Sequence, residues 1–173
     1  MVPVHCEPVT AGTYEAVIAL DVLPGQRDYV APNVRSLADA WACPAAEPLA
    51  LRQGSELIGF ALLKPAADAP GTVTLCRYMI DHHFQGRRLG HAGLAAVLDR
   101  VRAAGYTRIR LSVVPGNHVA FRLYRAAGFG ETGDLEDGEI VLTLDLDRTP
   151  VQPPSTPRTA APPHSAASRE SAR

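Results

Sequence analysis

The sequence predicts an α/β (α+β) fold, a mixed and mostly antiparallel central sheet flanked by helices. Three observations predict it. Apolar runs of strand length alternate with stretches of helical periodicity, and Gly- and Pro-bearing turns separate them. Two pairs of strands are close enough in sequence to form hairpins, which the regular βαβ repeat of a doubly wound sheet would not contain. One strand leads through the short turn Gln85-Gly86-Arg87-Arg88-Leu89-Gly90 into a long helix.

The elements follow in order. Val4–Val9 reads as a first strand and Tyr14–Leu20 as a short helix that Pro24-Gly25 follows as a breaker. Ser36–Trp41 reads as a second helix with Ser36 as its N-cap, and Trp41 is expected in the core or on a cleft wall. Leu49–Arg52 and Leu57–Leu63 flank Gln53-Gly54-Ser55-Glu56 as a hairpin. Thr72–Ile80 then returns antiparallel across the loop at 65–71. In the helix Leu89–Ala104, Leu89, Gly93, Val97 and Val101 form one stripe with Leu94 and Leu98 beside it, and Gly105 stops it. Arg108–Val114 is a strand ended by Pro115-Gly116. Asn117 can cap a helix from His118 to Ala127, closed by Gly128. A last hairpin joins Glu131–Leu135 to Glu139–Leu146 through Glu136-Asp137-Gly138. One domain is expected over residues 1–148. Residues 149–173, rich in Pro, Ser and Ala, are expected to be a disordered tail because they offer almost nothing apolar to bury.

Bulk numbers narrow the function classes. The 173 residues are 46% hydrophobic and 20% charged, as in ordinary soluble domains. A net charge of −1 argues against nucleic-acid binding, which needs a basic face. No apolar run is long enough to span a bilayer, and the start lacks the pattern of an export signal. Cys6, Cys43 and Cys76 include no CxxC pair, so reduced thiols in the cytoplasm are expected, with no metal site. His82-His83, adjacent on a segment read as extended, are expected to point to opposite sides and so not to act as a pair.

The turn at residues 85–90 has the chemistry of an anion cradle. The first N–H groups of a helix lack intrahelical partners, the macrodipole places partial positive charge there, and Arg87 and Arg88 add fork-shaped donors suited to phosphate.

Two motifs and the C-terminal hairpin together resemble the GNAT superfamily of acyl-CoA-dependent N-acetyltransferases. Tyr78 through Gly90 resembles that family's strand and Q/R-x-x-G-x-G/A pyrophosphate turn. Asn117-His118-Val119-Ala120-Phe121-Arg122-Leu123-Tyr124-Arg125-Ala126-Ala127-Gly128-Phe129 resembles its N-x-x-A-x-x-L-Y-x-x-x-G-F helix. Arg88 departs from the pattern, standing where its first Gly is usual; it is expected to join the helix's first turn and send its side chain to phosphate. A narrower likeness, to bacterial spermine/spermidine (diamine) acetyltransferases, runs through residues 26–40, Arg77–Asp81, Leu111–Asn117, Thr132–Asp134 and Gly138–Val141.

The resemblance implies splayed central strands and acetyl-CoA as co-substrate. Met79 and Ile80 would offer main-chain groups to the pantetheine arm. Gln85, Gly86, Arg87, Arg88, Leu89 and Gly90 would hold the pyrophosphate, and Asn117 and Tyr124 would contact the coenzyme. Tyr124 would protonate the leaving thiolate. The acceptor would be a small-molecule primary amine, plausibly a polyamine or diamine, which reaches its free base at pH 7.5 for about 4 kcal/mol. Glu139 is the favoured base, with Asp81 and a water chain as alternatives. Asp28, Asp39, Glu136 and Asp137 could form an acidic mouth. An amino acid, an aminoglycoside-like antibiotic or a protein N-terminus is the rival acceptor, and a CoA-binding sensor without turnover is the rival class. A homodimer is possible.

Overall fold

The computed structural model describes residues 2–146, so the expected tail at 149–173 lies outside the described residues. Seven strands form one sheet in the order β1-β2-β3-β4-β5-β7-β6, with β1 Val4–Pro8, β2 Glu47–Gln53, β3 Glu56–Pro65, β4 Thr72–Ile80, β5 Arg108–Val113, β6 Gly130–Glu136 and β7 Glu139–Asp145. The helices are α1 Tyr14–Ala19, α2 Asn33–Ala42, α3 Leu89–Ala103 and α4 His118–Ala126. Every strand pair is antiparallel except β4 with β5, which α3 connects as a crossover.

Helices cover both faces of the sheet. On one face Leu89, Leu94, Val97, Leu98 and Val101 of α3 pack with Leu49, Leu51, Ala61, Leu63, Ile109 and Leu111, burying the stripe that the 3.6-residue period marks. On the other face Val17 of α1 and Ala40 of α2 cover Ala50, Phe60, Leu62 and Met79. β3 is therefore buried on both sides, which is why Ile58–Leu63 is a continuous apolar run and not an alternating one. Burying the Val, Leu, Ile, Phe and Met side chains among these contributes roughly 1.5–3 kcal/mol apiece.

Two expectations in the second helix fail. α2 begins at Asn33, after Pro32, whose carbonyl accepts the Arg35 and Ser36 N–H groups. Ser36 is thus not a cap; it is fully buried inside the helix with its hydroxyl unpartnered. Asn33 takes the polar role at this end, donating from Nδ2 to the Val17 carbonyl at 2.9 Å. Trp41 is 88% exposed, neither core nor cleft wall, because it lies on the α2 face turned away from the sheet. Among the described residues no helix is long and apolar enough to cross a membrane.

Candidate active site

The site begins where the sheet comes apart. β4 and β5 pair over only three positions, Thr72 with Arg108, Val73 with Ile109 and Thr74 with Arg110. Opposite β3, Leu62 pairs with Arg77 and Leu63 with Leu75, so Cys76 is an extra residue and bends β4. β3 holds β4 as far as Ile80 while β7 holds β5 as far as Val113, and the two central strands diverge toward their C-terminal ends. A cleft of about 950 Å³ opens between them. The splay implied by the resemblance is present.

Main-chain groups alternate in direction along β4. Asp81 N–H bonds the Ile58 carbonyl, and the Met79 carbonyl lies against Gly59, where an added Cβ would meet it at 2.4 Å. Met79 therefore spends its main-chain groups on β3, and the expectation that it offers them to a ligand is corrected. Those of Tyr78 and Ile80 face the cleft. Gln85 Nε2 already donates to the Ile80 carbonyl at 3.0 Å, which leaves the Ile80 N–H as the available donor.

The turn after β4 meets the cleft with Gln85, Gly86, Arg88 and Gly90. Arg88 does not join the helix. It precedes α3 as a left-handed residue, φ 60° and ψ 10°, beside Gly86 at φ 77°. No side chain caps α3, so its first-turn N–H groups stay open. Arg87 lies over the Phe84 ring at 5.8 Å and Leu89 is buried in the core, so neither side chain lines the cleft. Tyr78 pins the turn from below, its hydroxyl donating to the Gly90 carbonyl at 2.5 Å. Gly93 makes that possible, since a Cβ there would sit 2.6 Å from the Tyr78 oxygen.

Asn117 and Tyr124 face the turn from α4, and both line the cleft. Asn117 Oδ1 accepts the Ala120 N–H at 3.2 Å, a true N-cap. Tyr124 is buried, its ring near Tyr78 (6.5 Å) and Phe129 (5.6 Å). Burial pushes its hydroxyl well above the usual phenol range, so it stays protonated at neutral pH. The hydroxyl has no hydrogen-bond partner among the described residues. Glu139, opening β7, also lines the cleft and accepts a 2.6 Å bond from the Ser112 hydroxyl of β5.

Asp81 has a different place. It is buried outside the cleft lining and accepts the N–H groups of Asp21 and His83 and contacts the His83 ring at 2.8 Å. Burial alone would raise its pKa, but these bonds outweigh it and hold the carboxyl below the usual range. Asp81 is thus an anchor for the loop after α1, not a base. His82–Phe84 is a 3-10 turn, so the His82 and His83 rings lie 3.8 Å apart instead of pointing to opposite sides.

Of the expected acidic mouth only Asp28 lines the cleft; Asp39 pairs with Arg35 and, at 3.8 Å, with Arg77, while Glu136 and Asp137 lie outside. From residues 26–32 the sequence reading placed only Asp28 at the cleft and missed that the whole segment walls it, Gln26 included. Its irregular backbone gives no periodic signal.

The chain matches the model of the acetyltransferase (GNAT) family over residues 16–129. It is 34% identical over 151 residues to the spermine/spermidine N(1)-acetyltransferase of Bacillus subtilis strain 168, spanning 83% of this chain and 99% of that one. The PaiA N-acetyltransferase of Thermoplasma acidophilum, solved with coenzyme A, superposes with a TM-score of 0.64 at 18% identity, covering 82% of this chain and 98% of that one. The aminoglycoside acetyltransferase AAC(6')-Ib, also solved with coenzyme A, gives 0.69 at 18% identity over 82% and 94%.

Two stability measurements follow from this geometry. Asp81 stabilises the fold above the ordinary carboxylate pKa, and that contribution fades as pH falls through its lowered folded value. Asp81→Asn is expected to cost about 1–3 kcal/mol at pH 7, and the gap in Tm between the two proteins should close toward pH 3. A gap unchanged over that range contradicts the anchor. Relieving a left-handed Arg gains about 1–2 kcal/mol, and the added freedom of Gly in the unfolded chain costs about 0.5–1. Arg88→Gly should therefore leave denaturant stability unchanged or raise it by up to about 1.5 kcal/mol; a clear loss would show that the arginine is not strained.

Proposed function

The chain belongs to the acetyltransferase (GNAT) family, and within it we propose a transfer of the acetyl group of acetyl-CoA to a primary amine of a polyamine or diamine. It is an acetyl-CoA-dependent acetyltransferase; the acceptor and the residue roles are the proposal. The observation that carries the acceptor is the 34% identity to the spermine/spermidine enzyme over 99% of its length.

The cleft suits the coenzyme on its own geometry. Open N–H groups at the start of α3, a turn with two left-handed residues and the Arg88 guanidinium together fit a diphosphate. The free Ile80 N–H on the splayed edge suits an amide-bearing arm. Asn117 orients the α4 mouth beside it. Bound acetyl-CoA supplies an acetyl thioester as the electrophile.

The chain's own residues orient the reactants and handle protons. Glu139, held by Ser112, takes the proton of the incoming ammonium. Tyr124 donates from its hydroxyl to sulfur as negative charge develops there. A phenol raised above its usual range ionises less readily than a thiol, near 8.5. Tyr124 is therefore fully protonated and presents its hydroxyl as a hydrogen-bond donor that stabilises the developing thiolate, full proton transfer being easier the more the same burial raises the thiol as well.

Thiol release with a panel of spermine, spermidine, a diamine, an amino acid and an aminoglycoside tests the acceptor. The polyamines or the diamine should give the highest kcat/KM, and preference for the amino acid or the aminoglycoside overturns this reading. Tyr124→Phe should lower kcat roughly 10²–10⁴-fold with coenzyme A affinity kept within about twofold. Full activity in that variant removes Tyr124 from the proton transfer.

A further inference from the structure

The loop between α1 and α2, whose residues 26–32 wall the cleft, runs beside the segment that ends in the turn before α3. At its base Asp21 N–H donates to Asp81 Oδ2 at 3.0 Å, and His82 N–H donates to the Asp21 carbonyl at 2.9 Å. At the cleft itself the two segments meet through a pair of primary amides. Gln26 Nε2 donates to Gln85 Oε1 at 3.1 Å, and Gln85 Nε2 donates back to Gln26 Oε1 at 2.9 Å. A primary amide carries donor and acceptor side by side, so two of them close a ring of two hydrogen bonds. Each amide is also tied to its own backbone neighbourhood, Gln26 Oε1 to the Leu23 N–H at 3.2 Å and Gln85 Nε2 to the Ile80 carbonyl. Both side chains are half-buried, and both residues line the cleft.

We propose that the wall formed by residues 26–32 receives the acceptor and that Gln26 and Gln85 form a positioning latch that couples coenzyme binding to acceptor binding. The inference rests on the reading of residues 85–90 as the coenzyme site. Occupying the turn fixes Gln85, and Gln85 fixes Gln26 at the head of the wall formed by residues 26–32. By linkage the coupling runs equally in the other direction. Gln26 is thus a positioning residue that influences coenzyme affinity from the acceptor loop.

Calorimetry with coenzyme A on the full chain tests it, comparing wild type, Gln26→Ala, Gln85→Ala and the double variant. Each single change should weaken coenzyme A about fivefold or more, and the double variant should lose no more than the worse single, because the two act as one unit. In steady-state assays with spermine, Gln26→Ala should raise the acceptor KM while kcat stays within about twofold. Gln26→Met, of similar size but without the amide, should reproduce these effects and serves if the alanine variant folds poorly. Coenzyme A affinity equal to wild type in the Gln26 variants, with or without a lower Tm, overturns the latch. Full multiplication of the two single losses in the double variant overturns it too. Absence of binding heat in wild type would instead sink the coenzyme-site reading on which the latch stands.

Discussion

The short parallel ladder between β4 and β5 is the constraint on which the site depends. Three paired positions hold the two halves of the sheet together, and beyond Thr74 each strand keeps only its outer neighbour. The extra residue at Cys76 turns β4 away while β3 still supports it to its end. Splaying leaves buried main-chain groups that a continuous sheet would have satisfied, and such groups demand partners. The fold meets part of that demand internally, by laying Gln85 on the Ile80 carbonyl. What is left over is a directed N–H at the edge of an open cleft, which is a binding feature created by topology before any specific side chain is considered.

A second consequence concerns the turn that follows. β4 delivers Tyr78 beneath α3, and the bond from its hydroxyl to the Gly90 carbonyl sets how close helix and strand can come. Gly93 and Gly59 provide the room, one for the Tyr78 hydroxyl and the other for the Met79 carbonyl. The chain between Ile80 and Leu89 is then held at both ends, and Arg88 takes up the difference as a left-handed residue. Strain of this kind persists only where the surroundings fix it. Here the Gln85 contacts on one side and the Tyr78–Gly90 bond on the other supply that fixing.

What the sequence reveals and what it conceals divide along the same line. The α3 stripe, the β2–β3 and β6–β7 hairpins and the Asn117 cap rest on local periodicity and turn chemistry, so they were legible. Ser36 is a good cap by type, yet Pro32 starts the helix earlier and packing against the sheet draws the serine inside. Trp41 is apolar by type, but only the helix's orientation on the sheet decides which face is covered. His82 and His83 depend on Asp81, whose partner Asp21 lies 60 positions away in sequence. The direction of the Met79 main chain depends on strand register, and the Gln26–Gln85 pair joins residues 59 positions apart. Tertiary partners at such separations leave no local trace.

Charge around the cleft bears on the acceptor. The chain is nearly neutral, yet Arg27, Arg77, Arg88 and Arg122 line the cleft against only Asp28 and Glu139. Taken alone, that count would repel a polycation. The contacts sort it differently. Arg27 is paired with Asp21 at 2.5 Å, and Arg77 donates to the Cys76 carbonyl and sits 3.8 Å from Asp39, so both cations have acidic partners. Arg88 and Arg122 come from the turn before α3 and from α4, the elements assigned here to the coenzyme. Asp28 forms no ion pair among the described residues, and Glu139 has only the neutral Ser112. Exposed pairs are screened and weak, but they still cancel much of each other's field at a distance. Asp28 and Glu139 are thus left as cleft carboxylates without a cationic partner among the described residues, while Arg88 and Arg122 stand at the turn before α3 and on α4. On the proposed function, the cations would favour an anionic coenzyme and the unpaired carboxylates a cationic amine.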